Sequence, residues 1–298
     1  MPEGKIIKAL SGFYYVLDES EKSGKVIQCR ARGIFRKNKV TPLVGDYVVY
    51  QADNDKEGYL LEVKERTNEL VRPPISNVDQ AVLVFSATEP AFSPSLLDRF
   101  LVLVEANDIK PIICITKIDL LKTDKERETI QAFAEDYRQI GYDVHLTSTI
   151  ERDGLDQLKP HFHQKITVFA GQSGVGKSSL LNAISPDLAL KTNNISSHLG
   201  RGKHTTRHVE LIHTAEGLIA DTPGFSSLEF TGIEAEDLGL YFLEIRERSA
   251  DCKFRGCLHV KEPACAVKDA VEKKQIREYR YQHYLEFLTE IKERKPRY

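Results

Sequence analysis

Five short runs open the chain between residues 4 and 66: GKIIKAL, GFYYVLD, KVIQCRAR, VGDYVVYQ and GYLLEVK. Apolar and polar positions alternate loosely within them, Val, Ile and Tyr dominate, and Gly, Pro, Asn and Asp separate them, so each run predicts a strand. Five strands in about sixty residues predict a small barrel, with the OB-fold as the leading candidate, itself a common nucleic-acid platform. The stretch RTNELVRPPIS (66–76) closes this segment, because Pro73-Pro74 cannot continue a ladder.

The pattern then changes. AVLVFSAT (81–88) and PIICITKID (111–119) are nearly continuous apolar runs, as expected for strands buried on both faces of a parallel sheet. Between them SPSLLDRFLVLVEANDI has helical spacing, opened by Ser93 as N-cap and Pro94 in the first turn. DKERETIQAFAEDYRQIG predicts a second helix ending at Gly141, and DVHLTST, KITVFAG, HVELIHT and GLIADTPG each predict strands. Strand–helix alternation over about 78–228 argues a doubly wound α/β domain. From about Val267 the tail is charged, with Ile276, Tyr284, Leu288 and Ile291 at helical spacing.

Composition narrows the class. With 41% hydrophobic and 29% charged residues, the 298-residue chain reads as globular rather than disordered, and its length suits two or three domains. No apolar run approaches the roughly 20 residues that cross a bilayer, and MPEGKIIKAL lacks a signal-peptide core, so a cytoplasmic protein without membrane contact is expected. The net charge of −2 conceals a partition. Residues 71–250 carry 18 Lys and Arg against 25 Asp and Glu, whereas 251–298 carry 12 against 8. Lys25, Arg30, Arg32, Arg36, Lys37 and Lys39 lie in a stretch without one acid, a cluster suited to neutralising phosphates of RNA.

The most specific motif is Gly171-Gln172-Ser173-Gly174-Val175-Gly176-Lys177-Ser178, a GxxxxGKS match between a strand and a helix, continued by Ser179. The glycines let successive backbone N–H groups turn toward phosphates, and the helix N-terminus adds partial positive charge. Lys177 would serve the β- and γ-phosphates, and Ser178 would offer a hydroxyl to Mg²⁺. Asp221-Thr-Pro-Gly224 has the form DxxG, where the carboxylate holds a Mg²⁺ water and the Gly224 N–H meets the γ-phosphate. Between the two lies the polar, Gly-rich GRGKHTTR, a loop whose Thr206, or its neighbour Thr205, would close on Mg²⁺ and γ-phosphate.

Thr116-Lys117-Ile118-Asp119 ends a strand and resembles the guanine-reading NKxD motif, with Thr in the usual Asn position. A carboxylate accepts from guanine N1–H and N2–H₂, donors that adenine lacks there. Thr147-Ser148-Thr149 resembles the SA motif whose backbone N–H meets guanine O6. These base-reading segments precede the phosphate segments, the reverse of an ordinary GTPase. Spatial contacts hold a fold together, so joining the old ends and cutting elsewhere preserves the site, and the cut falls just after the DxxG strand.

Cys252-x4-Cys257-x-His259-x5-Cys265 provides three thiolates and one imidazole, a full tetrahedral set for Zn²⁺ or another thiophilic ion, with no vacancy for a reacting water. Permuted motifs between an OB-like segment and this cluster, including CKFRGCLHVKEPACAV, resemble the small-subunit-dependent GTPase RsgA (YjeQ/YloQ) family over essentially the whole chain. The resemblance implies an α/β fold: a circularly permuted P-loop GTPase domain (71–228) between an OB barrel (1–70) and a mainly helical zinc domain (229–298). It further implies slow GTP hydrolysis stimulated by the 30S subunit, a role in late subunit maturation, and 16S rRNA contact through the OB and zinc modules. A monomer that cycles between GTP and GDP is expected. The alternative is a GTP-gated rRNA checkpoint in which hydrolysis is incidental. Phe225 stands where many GTPases place a water-orienting Gln, and His204 is the candidate to orient the water, with rRNA or solvent contact as its competing role.

Overall fold

The computed structural model describes residues 1–19, 24–52, 54, 56–71, 73–185, 209–214, 217–223 and 228–294, with Ile34, Arg36 and 221–223 described through the backbone alone. The first five runs form β1 (Glu3–Leu10), β2 (Phe13–Asp18), β3 (Val26–Ala31), β4 (Tyr47–Ala52) and β5 (Glu57–Val63), with a short helix, α1 (Gly33–Lys37), before β4. They close into a barrel in the order β1-β2-β3-β5-β4. β3 and β5 run parallel and the remaining pairs antiparallel. Ile6, Val16, Ile27, Cys29, Val48, Tyr50 and Leu60 fill the interior, each next to a more exposed neighbour as the period of two requires.

The proline stretch departs from expectation. β6 (Glu69–Val71) and β7 (Pro74–Ser76) pair as a small antiparallel hairpin, Leu70 opposite Ile75. Pro74 is accommodated as the first residue of its strand, opposite Val71. Buried Asp46 ties this hairpin to the barrel. It accepts from Arg66 Nε at 2.7 Å, Arg66 Nη2 at 2.8 Å and Ser76 Oγ at 2.6 Å. Gly45, at φ +94°, passes so close that a Cβ there would lie 2.0 Å from the Ser76 carbonyl oxygen, which excludes any side chain.

β8 (Gln80–Ser86) follows, buried throughout, then α2 (Pro94–Glu105), β9 (Lys110–Thr116), α3 (Asp124–Ile140) and β10 (Asp143–Leu146). Ser93 caps α2 by accepting from the Leu96 amide. Thr123 and Glu126 form a capping box on α3, and Gly141 ends it in the left-handed conformation. A single turn, α4 (Leu155–Leu158), leads to β11 (Ile166–Ala170), α5 (Lys177–Ile184), β12 (Leu211–His213) and β13 (Leu218–Pro223). The tail forms α6 (Leu243–Ser249), α7 (Ala266–Glu272) and α8 (Glu278–Glu293). Ile276, Tyr284, Leu288 and Ile291 are buried as their spacing predicts.

The chain divides into two compact units, 1–82 with 154–171 and 177–226, and 83–153 with 172–176 and 227–298. In the first, β13 lies parallel to β11 and antiparallel to β12. In the second, β9 and β10 run parallel, Ile115 opposite Leu146. This second unit holds a buried polar cluster. Arg280, 1% exposed, donates to Asp98 Oδ1 at 2.5 Å and to Glu244 Oε1 at 2.6 Å, and Tyr137 donates to Asp98 at 2.6 Å. Burial works against the Arg280 charge, and Asp98 and Glu244 more than offset it, so the guanidinium stays protonated.

Candidate functional site

The phosphate loop is made by local backbone demands. β11 is buried along its whole length, and α5 begins at Lys177. Gly174 and Gly176 between them take φ values of +81° and +95°, where a side chain would be strained. Lys177 Nζ donates to the Gly171 carbonyl at 2.7 Å, and burial lowers its pKa from the ordinary lysine value. Ser178 and Ser179 are exposed on the first turn of α5, and Gln172 and Ser173 are exposed before it.

Thr116 ends β9, 2% exposed, and its hydroxyl donates to the Val175 carbonyl at 2.5 Å. Lys117 enters a 3₁₀ turn, Ile118–Leu120, through a left-handed φ of 60°. Its ammonium donates to the Gly174 carbonyl at 2.8 Å and also to the Glu89 carbonyl. Two successive residues of the segment expected to read the base therefore bond to two successive carbonyls of the segment expected to hold phosphates. Asp119 is half-buried within the turn. The neighbouring loop is fixed beside it, since the Thr147 amide donates to Ile115 O at 2.8 Å and the Ile118 amide to Thr147 O at 3.4 Å.

Ser148 is fully buried and helps to build this loop. Its amide donates to the Asp153 carbonyl at 3.1 Å, and its hydroxyl accepts from the Glu151 amide at 3.0 Å. Both groups thus shape this turn. Of the residues expected to sense phosphate, Asp221 lies in β13 and is described through its backbone. His204, Thr205, Thr206, Gly224 and Phe225 lie outside the described residues.

The four metal-ligand candidates come together. One ligand atom each from Cys252, Cys257, His259 and Cys265 falls within 4.8 Å of the others. Cys252 and Cys265 sulfurs are 3.9 Å apart, and His259 Nδ1 lies 3.6 Å from Cys252 and 3.4 Å from Cys265. Thiolates about 2.3 Å from a tetrahedral Zn²⁺ stand roughly 3.8 Å apart, so the cluster fits that ion. With Nδ1 turned to the sulfurs, Nε2 keeps the proton and faces Ser249 Oγ at 3.1 Å, and Ser249 in turn donates to the Ile245 carbonyl at 2.7 Å. Burial lowers the His259 pKa, which favours the neutral ligating form. Burial, followed by the neighbouring Cys265 and Cys252, pushes the Cys257 thiol up to about 12, so ligation must release protons.

Ser249 is a supporting residue that spacing does not reveal, because it belongs to α6 and has no motif of its own. Glu262 is another: its carboxylate accepts from the Leu258 and Val260 amides and shapes the loop that carries His259. Among the basic residues, Arg30 and Arg32 are exposed on and just beyond β3, and Lys37 and Lys39 are exposed at and after the end of α1. The Arg36 side chain lies outside the described residues. No helix among the described residues is long and apolar enough to cross a membrane.

Known proteins share this arrangement. Residues 63–231 match the family profile described as RsgA GTPase, and 3–60 match the RsgA N-terminal domain. A protein of Bacillus pumilus (strain SAFR-032) named small ribosomal subunit biogenesis GTPase RsgA is 88% identical over 298 residues, covering all of both chains. The Bacillus subtilis (strain 168) protein of the same name is 76% identical over the same full length. The crystal structure of YloQ, described as a circularly permuted GTPase, aligns with a TM-score of 0.88 and 71% identity over 100% of this chain and 97% of that one. YjeQ from Thermotoga maritima aligns with a TM-score of 0.87 and 36% identity over 99% of each. The closed barrel, the inverted order of motifs and the Cys-Cys-His-Cys cluster are therefore parts of one architecture, and the chain belongs to the RsgA family of circularly permuted GTP hydrolases.

Proposed function

We propose that this chain binds the 30S subunit with GTP, assists its late maturation, and leaves after hydrolysing the nucleotide. Its relatives are named for small-subunit biogenesis. The observation that carries the nucleotide reading is the pair of bonds from Thr116 and Lys117 to Val175 and Gly174, which join base-reading and phosphate-binding segments written in reverse order. Asp119 would accept from guanine N1–H and N2–H₂, and the loop shaped by Ser148 would present an amide to O6. Amides of 171–176 and the Lys177 ammonium would hold the phosphates, flanked by Ser178 and Ser179. Ser178, Asp221 and Thr206 would hold Mg²⁺, which neutralises charge developing on the phosphate oxygens.

Phe225 supplies no group that can align water, so the isolated chain hydrolyses GTP slowly, and His204 orients the water when the subunit engages it. The domains run 1–70, 71–228 and 229–298, and the chain acts as a cytoplasmic monomer, with the barrel and the Zn²⁺ module touching 16S rRNA. GTP turnover measured with and without purified 30S subunits tests this reading. Strong stimulation that disappears in His204→Ala, with subunit binding intact, is the expected result. Equal release from subunits with GTP and with a non-hydrolysable analogue would instead favour the checkpoint role.

A further inference from the structure

We propose that Lys8 and Glu210 form a positioning contact for the reaction: the pair ties the barrel to strands β12 and β13, so that a subunit holding the barrel raises the rate of GTP hydrolysis. This inference rests on the reading above that the barrel touches rRNA and that the subunit stimulates turnover, and it adds the side chains that join the two. Lys8 Nζ donates to Glu210 Oε2 at 2.8 Å, across 202 positions of sequence. The same two residues form an antiparallel backbone bridge. β1 therefore meets the residue just before β12 through main chain and side chain together.

Strand register shows how Lys8 comes to face this way. Ile6 pairs with Val16 and Lys8 with Tyr15, so two steps along β1 match one along β2, and Ile7 is the extra residue of a bulge. Ile6 and Val16 are buried in the barrel. An unbroken period of two would carry Lys8 to the same interior face as Ile6. The bulge instead sets it opposite Tyr15, which is half-buried next to inward-facing Val16, with Nζ 6.0 Å from the Tyr15 ring centroid. The side chains of the ion pair remain 32% and 43% exposed, and such a pair adds little to stability. Stabilising the fold therefore does not account for interrupting the ladder at this point, whereas aiming Lys8 at Glu210 does.

The contact also lies where it can act on the chemistry. Leu211 pairs with Ala220 and Ile212 with Ile219. One further step in this register brings Glu210 level with Asp221, the residue expected to hold a Mg²⁺ water. Thr205 and Thr206 stand just upstream of Glu210 in sequence. The segments expected to sense γ-phosphate thus adjoin the end of β12 and β13 that Lys8 holds. Restraining that end narrows the backbone positions open to both segments and lowers the cost of reaching the reactive geometry. A barrel fixed on the subunit fixes Lys8, and through it Glu210. A barrel in free solution carries the same pair without an external anchor, so the effect belongs to stimulated and not to unstimulated turnover.

The test measures GTP turnover by the full chain, alone and with saturating 30S subunits. Lys8→Gln and Glu210→Gln should each lower the stimulated kcat by about threefold to fivefold, the scale of one partly exposed ion pair. Unstimulated turnover, KM for GTP and subunit affinity should stay at wild-type values, which also verifies that the variants are folded. Lys8→Arg should keep the stimulated rate. Lys8→Glu combined with Glu210→Lys should recover most of what either reversal alone removes, and the double Gln variant should be no slower than the single ones. Wild-type stimulation in both Gln variants overturns the inference. A proportional fall in stimulated and unstimulated rates also overturns it and makes the pair a structural contact. Weaker subunit binding by Lys8→Gln with an unchanged kcat at saturation overturns it and makes Lys8 a direct subunit contact. A wild-type chain that subunits do not stimulate refutes the functional reading and the inference with it, whereas a stimulated wild type with unaffected variants refutes the inference alone.

Discussion

The hydroxyl of Thr116 and the carbonyl of Val175, 59 positions apart in sequence, meet at 2.5 Å. The same hydroxyl oxygen lies 3.1 Å from the Phe85 carbonyl. A hydroxyl has one proton, and the shorter contact takes it. In the position where the guanine-reading motif usually has Asn, this chain thus has a hydroxyl on a buried strand end that bonds to the segment expected to hold phosphates.

Thr116→Val keeps the shape and removes the donor, leaving the Val175 carbonyl buried without its partner. A loss of about 1–2 kcal/mol, or roughly tenfold in GDP affinity, is expected. Thr116→Ser should recover most of it. Fluorescent guanine-nucleotide titration provides the measurement, and unchanged affinity in the Val variant would show that the bond does not support the loop.

Asp119→Asn exchanges an acceptor for a group that presents N–H toward the guanine N2 amine. GTP binding should fall by about a hundredfold or more, because the site is left with mismatched buried polar groups. Xanthosine triphosphate carries an oxygen at that position and should bind the variant better than GTP. Competition between the two nucleotides reads the result directly.

Ser249→Ala removes the hydroxyl facing His259 Nε2 and leaves all four candidate ligands in place. Supporting contacts of this type commonly contribute tenfold to a hundredfold in metal affinity, so Zn²⁺ should transfer to a chelator at correspondingly lower chelator concentration. Removing the metal should also lower the unfolding temperature of the C-terminal module, since ligation contributes folding free energy there.

Asp98→Ala leaves Arg280, His283 and Tyr137 without a shared acceptor in a buried setting. The expected cost is about 3–5 kcal/mol, read as a lower urea midpoint. Lys273→Ala, which breaks an exposed pair with Asp269, should change the midpoint by less than about 0.5 kcal/mol in equivalent stability.

Much of this was written locally. The alternation in GFYYVLD and KVIQCRAR, the caps at Ser93 and Thr123, the glycines at 174 and 176 and the gathering of the four metal-ligand candidates each depend on residues close together in the chain, so pattern and spacing reveal them. The hairpin at Pro74 escaped because its pairing is stabilised by Asp46 and Arg66, which no local rule connects to it. Ser148 illustrates a second limit: the motif marked the loop, whereas the structure shows its amide turned inward to Asp153. Sequence by itself determined which groups are available for the phosphate, guanine, metal and RNA roles proposed above, since such capacities reside in side-chain chemistry and short-range backbone conformation. Only the tertiary structure decided that Thr116 holds Val175, that Ser249 orients His259, and that Lys8 meets Glu210, because such contacts depend on strand register and packing between residues far apart along the chain.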